Sequence, residues 1–468
     1  MKLTSQTDTI IALATPPGEG GLSVIRVSGP ESLRIASRGF QGKAALSDAL
    51  THTAHFGRFV GENGSLLDEV VAVVFRGPHS YTGEDTVELS CHGGILVSKR
   101  MIEALVHYGA RLALPGEFTK RAFLNGKLDL SQAEAVADLI HSKSEAAHRS
   151  SLAQLEGALS SRVQKLRNQL LEAVSLFELE LDFAEEGYEF TNKPEVKQNL
   201  ANAINEIKLL CSTYDVGRNY REGIKVVLVG APNAGKSSLL NALLNDNRAI
   251  VTEIAGTTRD VIEEQISLNG LLFRIVDTAG LRQASDVIEQ EGIRRTLVQA
   301  GTGDILLLVI DISRNPDEAE KSSILDFMNH KSPPGAIKIA ALNKLDLVPG
   351  LNGEIRERTR FLGDIPTVKL SALTMAGFED LKDLLTRSAG GKASSEGGVT
   401  ITNIRHFQAL QKSAANLEMA LASLQQRKSG EFVAVDLRMA LDSLGEITGE
   451  VTTDEILNNI FSKFCIGK

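Results

Sequence analysis

The stretch Gly230–Ser238, reading GAPNAGKSS, constrains this chain more than any other part of it. The apolar run IKVVLV at 224–229 precedes it and predicts a strand; LLNALL at 239–244 follows and predicts a helix. Strand, G-x-x-x-x-G-K-S loop and helix together hold phosphate. Gly230 and Gly235 let the backbone curl so that its N–H groups converge, and the helix presents its positive end to an anion. In such a loop Lys236 reaches the β- and γ-phosphates and the Ser237 hydroxyl ligates Mg²⁺. From about 223 to 386 strands alternate with helices, and Asn269-Gly270 predicts a two-residue hairpin. The segment therefore reads as an α/β domain with one antiparallel pair.

Further elements follow in order. DTAG places Asp277 for the Mg²⁺ shell, with Thr278 and Ala279 leading to Gly280, whose N–H meets a γ-phosphate. GTTRD at 256–260 lies between loop helix and hairpin, with Thr258 set to complete the Mg²⁺ sphere. NKLD brings Asn343, Lys344 and Asp346 to a strand end; the Asp346 carboxylate suits the two N–H donors on the guanine edge. Ser371, Ala372 and Leu373 form a loop that backs the base through backbone N–H groups. With Asn233, Ala234, Gly235, Lys236, Ser237 and Ser238, these residues predict a GTP-hydrolysing domain. Leu281 stands where many relatives carry a water-orienting Gln, so another group has to act. Glu289 is the candidate for that role, although an exposed acid at a helix start is the plainer reading of it. Arg259, or a monovalent cation held by Asn233 and switch-loop oxygens, is the candidate for transition-state charge.

The remaining chain of 468 residues has room for further domains. Residues 1–127 mix glycine with short apolar runs such as VVAVVF and predict strands with a few helices. Residues 128–222 have helical spacing, with no proline from Leu128 to Leu181, and predict long helices; FELELDFAEEGYEF at 177–190 reads as a solvated acidic face or loop. Helix returns within 387–468 after the flexible composition of SAGGKASSEGG, so the α/β domain is expected to be inserted into one helical domain. A net charge of −9 speaks against a globally basic nucleic-acid binder, and three distant cysteines speak against a disulfide framework or zinc site. No signal peptide or membrane span is read, which predicts a cytoplasmic protein. The closing KFCIGK fits a prenylation box poorly, because Gly467 is not aliphatic and Lys468 is not a usual last residue. A frayed end and a tail reaching into an active site remain.

The blocks GAPNAGKSSLLNALL, TEIAGTTRD, DTAGLRQASDVIEQEG and CIGK resemble the MnmE (TrmE) tRNA modification GTPases. So do the N-terminal stretches ATPPGEGGLSVIRVSG, SYTGEDTVELSCHGG and LPGEFTKRAFLNGKLDLSQAEAVADLI. The resemblance implies a multidomain α/β fold: an α+β tetrahydrofolate-binding domain that dimerises, then a P-loop GTPase domain inserted into a helical domain. It implies a homodimer working with a flavin-dependent MnmG-type partner, in a heterotetramer, on carbon 5 of the tRNA wobble uridine. The one-carbon unit comes from a 5-formyl or methylene folate. It extends the nucleotide site to Thr252, Glu253, Ile254, Ala255, Gly256 and Thr257. Asn233, Thr252, Ile254 and Thr257 would hold K⁺, Ser237 and Thr258 Mg²⁺, and Glu289 would be the catalytic acid. Arg26, Glu88, Lys127 and Lys468 match the folate contacts. Cys465 then becomes a site candidate, either as a nucleophile that adds to carbon 6 of uracil or as an accessory thiol. The alternative is a ribosome-assembly GTPase acting as an RNA-binding switch. No GXXG-type RNA clamp supports it, and folate binding separates the two.

Overall fold

The computed structural model describes residues 8–182, 192–246, 263–277, 303–328, 332, 335–348, 350, 352–390 and 398–468. The first stretch runs β1 (Ile10–Leu13), β2 (Gly20–Ser28), α1 (Ser32–Gly39), β3 (Phe40–Gly42), β4 (Thr53–Val60), β5 (Leu66–Phe75), β6 (Thr86–Gly93), α2 (Ile95–His107), β7 (Arg111–Leu112) and α3 (Glu117–Leu124). The seven strands form one sheet in the order β3-β4-β5-β6-β2-β1-β7, antiparallel except for β1 with β7. Residues alternate between its faces. Ile25, Val27, Val70, Ala72, Val74, Val87 and Leu89 point inward and pack with Ile35, Met101 and Leu105 of α1 and α2. Each such aliphatic side chain contributes roughly 1.5–3 kcal/mol by leaving water. Arg26, Glu88 and Val73 share a register row on the other face, next to a row of Val24, Ser90, Val71 and Phe56.

Helices follow: α4 (Leu130–His141), α5 (Glu145–Leu155), α6 (Ala158–Asp182), α7 (Lys193–Ser212) and α8 (Tyr214–Glu222). The predicted helical run from Leu128 is thus divided. Ser144 Oγ accepts from the Ala147 N–H and starts α5, and Gly157, at φ +89°, separates α5 from α6.

Next come β8 (Ile224–Val229), α9 (Lys236–Asp246), β9 (Glu263–Leu268), β10 (Leu271–Asp277), β11 (Ile305–Asp311), α10 (Glu318–Asp326), β12 (Ile337–Asn343), α11 (Asn352–Arg358), β13 (Thr367–Lys369) and α12 (Phe378–Ser388). The sheet order is β13-β12-β11-β8-β10-β9, parallel except for the β9–β10 hairpin. Asn269 (φ 48°) and Gly270 (φ 80°) make the hairpin turn, as their dipeptide predicts. Every residue of β11 is buried, which fits a parallel strand covered on both faces. The chain closes with α13 (Ile404–Gln425), α14 (Gly430–Thr448) and α15 (Asp454–Phe461).

The chain divides into two compact units, one of residues 1–137, 154–204 and 412–468, the other of 138–153 and 205–411. The second is nested in the sequence of the first, and the 223–386 segment lies within it. In that unit the hairpin turn reaches α5, where the Ala146 N–H donates to the Gly270 carbonyl at 3.1 Å. Among the described residues no helix is long and apolar enough to cross a membrane.

A partly buried ion network ties Asp8, just before β1, to α3. Arg111 and Arg121 both pair with Asp8 and with Glu117, and Arg121 also reaches Glu84. Burial opposes ionisation of Glu117, but hydrogen bonds from Arg111, the Leu114 N–H and Arg121 outweigh it and hold the carboxyl below its ordinary 4.5. Arg111 chiefly holds Asp8 below 3.8. Both folded-state values lie below the unfolded ones. Their stabilisation is therefore complete above about pH 5 and is lost as pH falls through the lowered values. The urea midpoint of the first unit is expected to be flat from pH 7 to pH 5 and to fall as pH drops below about 4, chiefly through buried Glu117, because solvent screens the more exposed Asp8. A midpoint independent of pH across that range would contradict the network's role.

Candidate functional site: a phosphate loop and a docked tail

The loop after β8 sits where the chain turns to opposite sides of the sheet, β10 on one flank and β11 on the other. Parallel α/β sheets bind ligands at this edge, beyond the carboxyl ends of the strands. Gly230 lies so close to β11 that a Cβ would stand 2.3 Å from the Val309 carbonyl oxygen, so only glycine fits. Asn233 (φ 62°) and Gly235 (φ 96°) both take left-handed backbone around buried Ala234. This curls the loop into an N–H-lined cradle at the start of α9. Lys236 Nζ donates to the Gly230 and Ala231 carbonyls, each at 2.8 Å, which holds the ammonium between the two ends of the loop. Ser237 and Ser238 are exposed in the first turn of α9, and the Asn233 side chain is exposed as well.

The base side is built on β12 and the loop after β13. Asn343, 2% exposed, has both ends of its amide engaged: Nδ2 donates to the Ala234 carbonyl at 2.9 Å and Oδ1 accepts from the Ala372 N–H at 3.0 Å. It is a strut between the phosphate loop and the 371–373 loop, a role that its place in a motif did not reveal. Asp346 Oδ1 accepts from buried Ser371 Oγ at 2.5 Å, and that oxygen accepts in turn from the Leu373 and Thr374 N–H groups. A carboxylate held by one hydroxyl keeps acceptor capacity for a base edge. Leu373 is 83% exposed beside it. Lys344 (φ 70°) pairs at 2.6 Å with Asp311 at the end of β11. Burial opposes ionisation of Asp311, but Lys344 and Ser313 hold its carboxyl below the usual range. Sequence reading missed Asp311; its only signal is an acid closing the apolar run ILLLVI.

Asp277 closes β10, as expected. Thr252, Glu253, Ile254, Ala255, Gly256, Thr257, Thr258, Arg259, Thr278, Ala279, Gly280 and Glu289 lie outside the described residues.

The second candidate site is on the open sheet face of the first unit. Arg26 and Glu88 are register partners on β2 and β6. Arg26 places both Nε and Nη2 2.8 Å from Glu88 Oε1, so the pair leaves Oε2 aside. The guanidinium lies 5.3 Å from the Tyr81 ring centroid and 5.6 Å from that of Phe118. The chain's last residues are not frayed but dock here. The Gly116 N–H donates to the Cys465 carbonyl at 3.4 Å, the Lys468 N–H donates to the same carbonyl at 3.3 Å, and the Gly467 carbonyl lies 3.5 Å from Arg26 Nη1. Burial and the neighbouring Arg26 charge push the Lys468 ammonium below its ordinary value, with Glu88 acting the other way. The Cys465 thiol is free and exposed. Lys127 lies between α3 and α4: its Nζ donates to the Pro78 carbonyl at 3.0 Å, and its stem lies beside Gly83. Sequence reading missed Tyr81 and Phe118, which carry no charge to mark them.

Gly467 has φ +99°, and a Cβ there would stand 2.2 Å from the Leu13 carbonyl oxygen. Gly467→Ala is expected to undock the tail, so that carboxypeptidase removes the last residues at least about tenfold faster, a loss of about 1.4 kcal/mol or more of docking. Equal trimming rates would show that the tail is not held by this contact.

A phosphate loop at the carboxyl ends of a parallel sheet, strutted by Asn343 to the 371–373 loop, defines a P-loop nucleotide-binding domain. The family model described as GTP-binding protein TrmE N-terminus matches residues 9–127, and that described as MnmE helical domain matches residues 130–465. The chain is similar along its length to proteins named tRNA modification GTPase MnmE. It is 43% identical to that of Christiangramia forsetii, over 98% of this chain and 99% of the relative. It is 44% identical to that of Salinibacter ruber, over 99% and 100%. A solved FeoB G-domain from Methanococcus jannaschii is 27% identical over 36% of this chain and 98% of its own, at a TM-score of 0.27. This chain belongs to the MnmE family of tRNA modification GTPases, with its P-loop GTPase domain inserted into a helical domain that follows an α+β N-terminal domain.

Proposed function

We propose that the chain couples GTP hydrolysis to tRNA modification. In this reading it works with a flavin-dependent MnmG-type partner in a heterotetramer and adds a carboxymethylaminomethyl or aminomethyl group to carbon 5 of the wobble uridine. The carbon comes from a 5-formyl or methylene tetrahydrofolate. The observation that carries the reading is the docked tail: the Gly467 carbonyl meets Arg26, which pairs with Glu88, and the Cys465 carbonyl accepts from the Gly116 and Lys468 N–H groups of the same unit. Glu88 Oε2 suits the amino-pyrimidine edge of a pterin, the Tyr81 and Phe118 rings supply apolar flanks, and Arg26 and Lys468, with Lys127 further out, suit an anionic tail. The folate, when bound, supplies the one-carbon unit at the oxidation level of its methylene or formyl group. In this reading the exposed Cys465 thiol adds as thiolate to uracil carbon 6, which makes carbon 5 nucleophilic, and loss of the carbon 5 proton later releases the sulfur; the other reading is an accessory thiol.

In the GTPase part, Lys236 and the cradle N–H groups bind and orient the phosphates, and Asp346 selects guanine. The exposed Ser237 hydroxyl at the start of α9 fits a hard-cation ligand and, with Thr258, would hold Mg²⁺, which neutralises phosphate charge when bound. The exposed Asn233 amide fits K⁺ with Thr252, Ile254 and Thr257; Glu289 is the acid that orients water, and Arg259 the other candidate for transition-state charge. A homodimer through the first unit is supported by the open face that carries Leu22, Phe56 and Val71, all exposed and continuous with the Arg26–Glu88 row.

Nucleoside analysis of tRNA from a strain lacking the protein tests the pathway. Loss of the wobble-uridine modification is expected, and a normal profile would reject it. GTP hydrolysis in KCl is expected to exceed that in NaCl by the roughly 10³-fold or more that charge at this position supplies. Equal rates would remove K⁺ from the mechanism.

A further inference from the structure

One short segment, Gly116–Arg121, at the start of α3, touches the tail, Arg26 and Tyr81 at the docked-tail site. Gly116, left-handed at φ +67°, gives its N–H to the Cys465 carbonyl, and a Cβ there would stand 2.5 Å from the Phe461 carbonyl oxygen. Phe118 is fully buried and lies under the Arg26 guanidinium. Thr119, also fully buried, exchanges a 2.8 Å hydrogen bond with the Tyr81 hydroxyl, which fixes the second ring beside Arg26. Lys120 Nζ donates to Asn458 Oδ1 at 2.9 Å, on the helix from which the tail descends.

Glu117 and Arg121, each 3% exposed, anchor the segment from below. Arg121 is the hub. Its Nη1 donates to the Asp8 carbonyl at 2.8 Å and to both Glu84 oxygens at 3.2 and 3.3 Å; its Nη2 donates to Asp8 Oδ1 at 2.8 Å and to Glu117 Oε1 at 3.1 Å. Glu84 in turn accepts from Ser28 Oγ at 2.9 Å, on β2 two residues beyond Arg26, and Ser28 Oγ meets Thr82 Oγ1 at 2.7 Å in the loop that carries Tyr81. One guanidinium thereby sets the loop, the strand and the helix that place Tyr81, Arg26 and Phe118.

We propose that Arg121 is the positioning residue of the one-carbon donor site. It acts by locking α3 against the 81–84 loop and touches no ligand itself. The inference rests on the folate reading given above. A planar fork that satisfies three carboxylates at once cannot be replaced by a point charge, so Lys is not expected to substitute for it.

The test uses the full chain and 5-formyltetrahydrofolate. Calorimetry is expected to show binding by the native chain and a dissociation constant at least tenfold higher for Arg121→Gln and Arg121→Lys. With the partner and tRNA present, the KM for the methylene donor is expected to rise by a similar factor while kcat at saturating donor changes less than twofold. A role in stability alone would instead lower kcat with the amount of folded chain and leave KM unchanged. Thr119→Val, which keeps shape and removes only the Tyr81 hydrogen bond, covers the case in which the Arg121 variants do not fold; it is expected to fold, with the stability loss of one hydrogen bond, and to weaken binding about threefold when compared at equal amounts of folded chain. If the native chain binds folate and the variants bind equally well, or Thr119→Val does so where the Arg121 variants do not fold, the positioning role is overturned and the folate reading stands. If the native chain binds no folate, the folate reading fails, and this inference with it.

Discussion

Lys236→Ala is expected to reduce the turnover of GTP by about 10²–10³-fold, the loss typical of one preorganised donor aimed at developing charge. The reason lies in how the ammonium is held. Its two 2.8 Å bonds to the Gly230 and Ala231 carbonyls span the loop, so the charge is fixed before phosphate arrives and needs no reorganisation at the moment of reaction. The Lys236 residue is 9% exposed, which removes most of the water that would otherwise screen it. Single-turnover hydrolysis by both proteins, with protein in excess over nucleotide and well above the dissociation constant, separates this effect from weaker binding. A variant within threefold of the native rate would mean that the loop N–H groups and the metal carry the stabilisation without the lysine.

Asp346→Ala is expected to abolish the preference for guanine. A buried or hydrogen-bonded site that is built to pair with a donor rejects an analogue lacking it by about 10⁴-fold. ITP lacks the 2-amino group of GTP and is the direct probe. The native ratio of kcat/KM for GTP over ITP should be large, and it should fall towards one in the variant, mainly through GTP. Ser371 keeps its two backbone donors, Leu373 and Thr374, so the loop itself has a reason to stay in place. A ratio left unchanged by the substitution would show that the base edge is read elsewhere, for example by the backbone of the 371–373 loop.

Lys236 and Asp346 are legible in the sequence because their chemistry is local. A phosphate loop needs its glycines, lysine and serine at fixed spacing, and a guanine-reading carboxylate needs to sit just past a strand end. The hairpin at Asn269-Gly270 is legible for the same reason, since only a few residue types accept two consecutive left-handed conformations. Asn343 is legible as a member of a motif but not as a strut, because its two partners lie 109 and 29 residues away in the chain. Arg26, Glu88 and Lys468 enter through family resemblance; as isolated charges they look like any solvated surface. The contacts that give them meaning span 62 residues in one case and 441 in another.

By itself, then, the order of residues determined the nucleotide class, the strand–loop–helix that serves it, and the interruption of a helical segment by an α/β one. Each is read from short motifs and periodic spacings whose own residues lie close together in the chain. Only the tertiary structure decided that the terminal Cys465–Lys468 turn lies against Arg26, that Asp311 holds Lys344, and that Arg121 gathers Asp8, Glu84 and Glu117. Those arrangements arise where separate strands and helices are pressed together, because charges that packing takes out of water carry a desolvation cost that only pairing them as a set offsets.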